Sequence, residues 1–505
     1  MYATSFSSTA AGTPNITSGN DINLNAVGAI HANAPLRLKS YSATTLPEDI
    51  SAGSLAFQTD RRPSGSPMFH NGTFWQQLSN AGVLFNVTDY GADPTLTDST
   101  NAIAINAAID AAAEAGGGIV FVPAGNWTLT NQIILKFGVT LQGVGYNIIQ
   151  LADDLSISGT IFNITWGSGV GSAEDASMAA FIMNSGSTIC DLAIKYPNQS
   201  TTSFTPTEYG ATIKLYLDAA SGDKIWQWDN TVRNVFLHKC WCGIDARGST
   251  ARSTISLDSK NNPIYSLIGS CRFDQIKMSA IRYGIRADYQ ADWCYYDRIE
   301  LQPGWLSVYY GVGSSLRDYV QKNCVFFEFS NRMDWVKITE CTSWAINIAI
   351  QLINCPGPFT VTSCEFDACR TAVVDTQGNC GETHIRLIGC TFVVFDALAN
   401  EAGVNKYSGY VVNVNPGSQV RGIHISDCYA FGPTKGWVYN NGTLVDRLIL
   451  VNCQTWATNV VGGSGYAITA GSGMSNVIVT NNIFNGLSGT ITGTASGTVR
   501  NANNI

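Results

Sequence analysis

Between Arg272 and Trp344 the chain gathers aromatic rings and carboxylates. The aromatics singled out as substrate-binding candidates are Trp293, Tyr295, Tyr296, Trp305, Tyr309, Tyr310 and Trp335. Interleaved with them are Asp274, Asp297, Glu300 and Glu328. Aromatic faces stack on the C–H surfaces of sugar rings, and carboxylates bind hydroxyls and carry out acid–base work. The mixture is what a carbohydrate groove requires. The competing reading makes many of these rings core or subunit-interface residues.

Spacing narrows the chemistry. Cys271-Arg272-Phe273-Asp274, Cys294-Tyr295-Tyr296-Asp297 and Cys364-Glu365-Phe366-Asp367 share the frame Cys-x-aromatic-Asp. The first two copies lie 23 residues apart. If the cysteine marks one corner of a repeating coil, Asp274 and Asp297 stack on adjacent coils about 5 Å apart. Carboxylates that close do not both ionise freely, so one pKa rises and the pair splits into acid and base. Glycoside hydrolysis needs such a split. Asp297 and Glu300 are the first catalytic candidates, with Asp274 and Glu328 next. Glu365 and Asp367, roughly 6 to 7 Å apart on one strand face, form another pair. The plain alternative is that these aspartates cap turns.

Other chemistries find less support. His31, His70, His238, His384 and His424 show no metal-ligand spacing, and His384 and His424 read as packing or surface residues. There is no GxSxG elbow and no phosphate-binding Walker loop. No metal and no cofactor are expected. A polysaccharide lyase stays open: Arg282, Arg286, Arg298 or Arg332 with a tyrosine could neutralise a uronate and supply a base.

The elements that must hold these residues follow from composition. Of 505 residues only 13% are charged, against about 25% in an average soluble protein. Hydrophobic residues are an ordinary 45%, and Gly reaches 49. Disorder and helix bundles both need more charge. A long all-β protein with many turns and neutral outer faces fits. The net charge of −8 argues against a nucleic-acid partner. No apolar run is long enough for a membrane span. The opening MYATSFSSTAAGTPN has neither a basic nor an apolar signal region, so no secretory leader is expected.

Apolar alternation ends again and again in Cys or Asn. Cys364, Cys390, Cys428, Cys453 and Asn482 follow at intervals of 26, 38, 25 and 29 residues. Strand-and-turn repeats of that length mark a β-solenoid. The Cys/Asn position then becomes an inward ladder at one corner, with Asn amides pairing along the stack and Cys filling the same slot as a small hydrophobe. The fourteen cysteines are therefore expected as free, mostly buried thiols. Polar stretches at 196–230, 395–408 and 432–442 read as insertions looping out of the repeat.

Residues 84–145 read strand, loop, helix, strand, turn, strand. The helix is expected from about Ser99 to Ala115, capped by Asp98, Ser99 or Thr100, with Ile103, Ala107 and Ala111 on its packed face. The segments Asp89-Tyr90-Gly91-Ala92-Asp93, Val122-Pro123-Ala124-Gly125 and Val139 to Gly145 occur in order around that helix. This stretch resembles the opening of pectate-lyase-like right-handed β-helix proteins, in which the helix caps the coil. Residues 1–82, with strand-forming runs flanking Arg61-Arg62-Pro63-Ser64-Gly65-Ser66, resemble small attachment modules of phage tail proteins.

The expected architecture is therefore all-β: an extended arm and β-rich attachment module (1–82), a right-handed parallel β-helix (83–485), and a C-terminal strand or trimer seam (486–505). Together these resemble a phage tailspike. That resemblance implies a homotrimer on the virion tail, docked to tail or baseplate proteins and acting on a bacterial surface polysaccharide. The other class of function is a non-enzymatic adhesin or structural tail fibre that binds glycan without cutting it.

Overall fold

Alternating apolar residues turn nearly all of the chain after Ala81 into short strands stacked coil upon coil, seen here in a computed structural model. The structure describes 40–42, 45, 54–59, 66–70 and 75–77. From 84 onward it describes all residues except 151–154, 200–204, 216–226, 248–255, 258–262, 265–267, 291, 307–314, 396–407, 443 and 462–464. The chain divides into two units, Met1–Asn80 and Ala81–Ile505. In the first, Leu55–Gln58 runs antiparallel to Ser66–His70, which pairs with Trp75–Gln77. Ser40–Tyr41 lies parallel to Leu55–Gln58. The extended arm expected at the start of the chain lies outside the described residues.

The second unit is the expected right-handed parallel β-helix, each coil passing through three sheets. The first sheet stacks the leading half of Thr231–His238 on that of Arg272–Ser279. Cys294–Asp297, Val336–Thr339 and Pro358–Thr362 follow, then the ends of Asn379–Ile388, Gln419–Ser426 and Leu444–Val451. The second sheet continues with Glu300–Leu301, Thr342–Trp344, Glu365–Cys369 and Thr391–Val394. The third holds Cys242–Ala246, Tyr283–Gln290, Val325–Met333, Ile348–Ile353 and Ala372–Gln377. All these pairings are parallel, which a coil of this hand satisfies by passing through the other two sheets before returning.

The corner between the first and second sheets is built from left-handed residues. Asp191, Asn234, Gln275, Arg298, Glu340, Ser363, Asp427, Asn452 and Asn481 have φ between 51° and 60°. Gly389 (φ 61°) fills the same place in its coil. The following residue points inward, and the bend takes its N–H out of the sheet ladder. A side chain on the next coil accepts it instead. Cys341 N–H donates to Cys364 Sγ (3.4 Å), Cys364 N–H to Cys390 Sγ (3.5 Å), and Cys390 N–H to Cys428 Sγ (3.4 Å). Cys453 N–H donates to Asn482 Oδ1 (2.7 Å), and Asn482 N–H to Asn504 Oδ1 (3.0 Å). Each thiol also donates, as Cys364 Sγ does to the Thr362 carbonyl (3.3 Å). Cysteine thus does a weaker version of asparagine's work, accepting one bond and donating another. All fourteen cysteines are free and buried.

Several expectations change. Cys271 and Cys294 sit at the entry of the first sheet, whereas Cys364 belongs to the corner ladder, so the shared Cys-x-aromatic-Asp frame spans two different places in the coil. The helix runs Thr100–Glu114 with Asp98 Oδ1 accepting from Thr100 N–H (2.9 Å). Its packed face is Ala102, Ile105, Ala108, Ile109 and Ala112, while Ile103 and Ala107 are exposed. The correction follows from adjacent i, i+3, i+4 rows: the row containing Ile105 and Ile109 covers the coil mouth better than the sparser Ile103 row. Gly436–Asn440 and Ala211–Leu215 are third-sheet strands rather than insertions. Gly489–Ala502 pairs parallel with Tyr466–Thr480 and continues the stack as a last coil. Among the described residues no helix is long and apolar enough to cross a membrane.

The ladder gives a stability test. Asn482 is buried and its Oδ1 accepts the Cys453 N–H. Asn482→Ala leaves that N–H without a partner and is expected to cost about 1–3 kcal/mol. Asn482→Cys, which restores an acceptor, should cost less than half as much. Guanidinium unfolding midpoints of the two variants check the order.

Candidate functional site

Cys294–Asp297 shows how the first sheet sorts its residues. Cys294 and Tyr296 point into the core, so Trp293, Tyr295 and Asp297 share the outer face. One coil before, Arg272 lies in register with Tyr295 and Asp274 with Asp297. One coil after, Lys337 lies in register with Tyr295 and Thr339 with Asp297. That register also sets Trp335 beside Trp293, and the two are 57% and 55% exposed. Cations flank the rings: Arg272 sits 5.5 Å from the Tyr295 centroid, and Lys337 sits 5.4 Å from Tyr295 and 5.8 Å from Trp293.

The two aspartates expected on adjacent coils are there, in register, at the ~4.8 Å spacing of neighbouring strands. Their surroundings push them apart. Arg298, turned outward by its left-handed corner backbone, grips Asp274 through Nε (2.9 Å) and NH2 (2.6 and 2.7 Å). That fork fixes the orientation of the Asp274 carboxyl group. Burial raises the Asp297 carboxyl above its ordinary range, the charge of Asp274 adds to the rise, and a Thr339 hydrogen bond opposes it. The two carboxyls therefore meet different surroundings: Asp274 is forked by Arg298, and Asp297 is shifted upward by its burial.

The remaining candidates are dispersed. Tyr296 is fully buried between Phe273 and Phe329 (5.2 and 5.3 Å between centroids) and is withdrawn as a sugar contact. Its Oη donates to Gln290 Oε1 (3.2 Å), which satisfies the phenol inside the core. Glu328 stands on the third sheet, buried against Arg286 Nε (2.7 Å), and does not join the aspartate pair. Sequence proximity misled here because a coil separates nearby residues onto different faces. Glu300 lies across the corner on the second sheet, in register with Lys277, whose Nζ is 3.9 Å from Oε2. Trp305 packs edge-on to Phe236 (5.3 Å) and belongs to the second-sheet surface. Tyr309 and Tyr310 lie outside the described residues. Glu365 and Asp367 share a second-sheet strand, where burial and then the charge of Glu365 raise the Asp367 carboxyl. Of the four arginines considered for uronate neutralisation, Arg298 adjoins the aspartate pair. Arg282 donates to the Asn323 carbonyl, Arg286 is tied to Glu328, and Arg332 pairs with Asp334 (2.8 Å).

Arg272 and Lys337 were not singled out from the sequence, though a signal existed. Each is the polar residue between two inward-facing positions, beside Phe273 and between Val336 and Ile338. Strand parity alone assigns them to the face of Tyr295.

Comparisons with known proteins agree on the architecture. Residues 84–163 match the family model described as rhamnogalacturonase A/epimerase, pectate lyase-like. The mannuronan C5-epimerase AlgE1 of Azotobacter vinelandii is 34% identical over 143 residues, covering 24% of this chain and 10% of that protein. AlgE3 of the same organism is 38% identical over 109 residues, covering 18% of this chain and 6% of that protein. The chain thus matches a tenth or less of the length of these curated relatives. Among solved structures, the catalytic domain of a GH87 alpha-1,3-glucanase superposes with a TM-score of 0.50 at 12% identity, covering 86% of this chain and 71% of that one. A tailspike protein of the Acinetobacter baumannii bacteriophage Fri1, a capsular polysaccharide depolymerase, gives a TM-score of 0.41 at 14% identity, over 91% and 76% of the two chains. The segment 84–163 is pectate-lyase-like, and it opens a right-handed parallel β-helix.

The raised carboxyl of Asp297 has a stability consequence. In the fold its proton is favoured over the unfolded state, so stability from this group is full below the ordinary 3.8 and lost as pH rises through the folded pKa. At pH 7 the buried charge opposes folding. Asp297→Asn should therefore melt no lower than wild type at pH 7, with any gain disappearing below about pH 4. Thermal melts at the two pH values test this; a lower melting temperature for Asp297→Asn at pH 7 contradicts it.

Proposed function

We propose that this protein is a tailspike-type enzyme that binds a bacterial surface polysaccharide and cleaves it by glycoside hydrolysis. The observation that carries the reading is the in-register stacking of Asp274 and Asp297 beside the half-buried Tyr295 and the exposed Trp293 and Trp335. The rings hold the sugar faces. Asp297, whose carboxyl is shifted upward by burial, acts in its protonated form as general acid and donates to the glycosidic oxygen as that bond breaks. Asp274, held in place by Arg298, is the carboxyl group that faces the developing positive charge at the anomeric carbon. Carboxyls on neighbouring strands, about 4.8 Å apart at the backbone, suit the retaining route, in which Asp274 bonds the sugar as the protonated leaving group departs. Water then attacks, Asp297 takes its proton, and Asp274 is released.

The relatives named above include a capsular polysaccharide depolymerase and polysaccharide-modifying epimerases, which supports a polysaccharide as the substrate class. The N-terminal unit would attach the enzyme to tail or baseplate proteins, and three copies would form the spike used in host adsorption. A lyase is the second reading. Arg272 and Lys337 at Tyr295 favour it, since they offer charge to a uronate beside a phenol that could move a proton.

Incubation of the full chain with capsule or O-antigen of susceptible bacteria tests the proposal. New reducing ends with no rise in absorbance near 235 nm are expected. Asp274→Asn and Asp297→Asn should each lower kcat by about 10²–10⁴, while Trp293→Ala and Trp335→Ala chiefly raise KM. A rise at 235 nm would establish the lyase. Binding without any product would establish an adhesin.

A further inference from the structure

The outer strip of the first sheet continues beyond the aspartate pair. Two columns run along it in register. One is Pro358, His384, Gly422 and Arg447, and the other is Lys337, Thr360, Arg386, His424 and Ile449. Gly422 interrupts the first column with no side chain. The result is a hollow of about 410 Å³ floored by Gly422 and walled by His384, Arg386, His424 and Arg447. A Cβ at position 422 would come within 3.0 Å of His384 Nδ1, so the opening depends on the glycine.

The charge of this hollow is unusual for the chain. Several other basic groups meet carboxylates, as Lys214 meets Asp245 (3.0 Å) and Arg286 meets Glu328 (2.7 Å), while Arg272 and Lys337 sit against aromatic rings. Among the described residues neither Arg386 nor Arg447 has an ion pair or a hydrogen bond through its side chain. Asp446, next to Arg447 in sequence, is engaged by Arg421 (3.6 Å). Asp427 is the carboxylate whose charge reaches His424. Two guanidinium forks and two imidazoles thus surround a concave floor with their donors unspent. An Arg fork matches the planar geometry of a carboxylate.

We propose that the hollow formed by His384, Arg386, Gly422, His424 and Arg447 is a subsite for the carboxylate of an acidic sugar within the polysaccharide. The inference rests on the reading of the first-sheet strip as a glycan groove and adds that the glycan carries uronic or similar acid units. Arg386 and Arg447 bracket the carboxylate from coils on either side of Gly422, and the imidazoles contact its ring hydroxyls. The floor of the subsite at Gly422 lies four coils from Asp297, roughly 19 Å along the axis at about 4.8 Å per coil. One bound chain therefore reaches both places.

Isothermal titration of the full-length Asp297→Asn protein provides the test. Hexamers of mannuronate and of galacturonate are the probes, each alongside the same hexamer with its carboxyls reduced to alcohols. At least one acidic hexamer should bind, with its reduced form weaker by tenfold or more. Arg386→Gln/Arg447→Gln and, separately, Gly422→Val should remove that tenfold preference while leaving the melting temperature within a few degrees of the parent. Equal binding of acidic and reduced forms, no binding of either acid at millimolar concentration, or an unchanged preference in the double variant overturns the subsite. Uptake of inorganic phosphate with no uronate binding overturns the carboxylate assignment in favour of a phosphate substituent. Failure of the hydrolytic reading is seen separately, as cleavage that survives Asp297→Asn and Asp274→Asn, and it leaves these binding results standing.

Discussion

Every coil of this protein sets its residues directly over those of the coil before, at the ~4.8 Å spacing of hydrogen-bonded strands. That single constraint governs what each position can hold. Like charges in register repel, so a long column of one charged type is not sustainable. The 13% charge content reflects this. Where charges do stack they alternate: Lys214, Asp245, Arg286 and Glu328 follow one another in register on the third sheet. Burial alone would raise the Asp245 carboxyl, but Lys214 and Arg247 bring it down to about 2. Breaking a buried pair of this kind typically costs several kcal/mol, because the remaining charge has no water to turn to.

The corner ladder obeys the same constraint with neutral groups. A left-handed residue turns the chain, and the next N–H must find an acceptor that repeats every coil. Asn supplies an amide that both accepts and donates. Cys supplies a weaker acceptor with a smaller, more apolar body that suits the interior. Cysteine usage in this chain thus follows from a hydrogen-bonding role in a packed corner. Burial pushes thiols such as Cys240 and Cys324 up to about 12, which keeps them protonated and inert at neutral pH.

Much of this was legible in the sequence, because stacking writes itself as a period. The interval between Cys271 and Cys294 placed Asp274 over Asp297, and the Cys/Asn anchors revealed the corner ladder. What the period does not carry is the face. Glu328 is close in sequence to Asp297, yet the coil has turned to the third sheet by then. Tyr296 follows an inward cysteine by two residues, so parity sends it inward as well; reading only its aromatic character concealed that. His384 and His424 looked solitary because their columns become visible only when strands of unequal separation are laid in register, across the irregular step between Cys380 and His384.

The aspartate pair is the place where the fold's own rule is set aside. Two carboxylates stack in register, a juxtaposition that the third sheet avoids by alternating sign. A stack tolerates this where a cation is brought in, and Arg298 forks onto Asp274, while burial and the charge of Asp274 shift the Asp297 carboxyl upward. The same reasoning applies to the cations farther along the strip. Arg386 and Arg447 are kept apart by a coil that sets His424 over Arg386 and Gly422 against Arg447, and the glycine opens the floor between them. In a solenoid that penalises unbalanced charge at every repeat, the aspartate pair with its arginine and the basic hollow stand on one face of one sheet. On the proposed reading the pair meets the bond to be broken, and the hollow meets the charge of a chain laid along the axis.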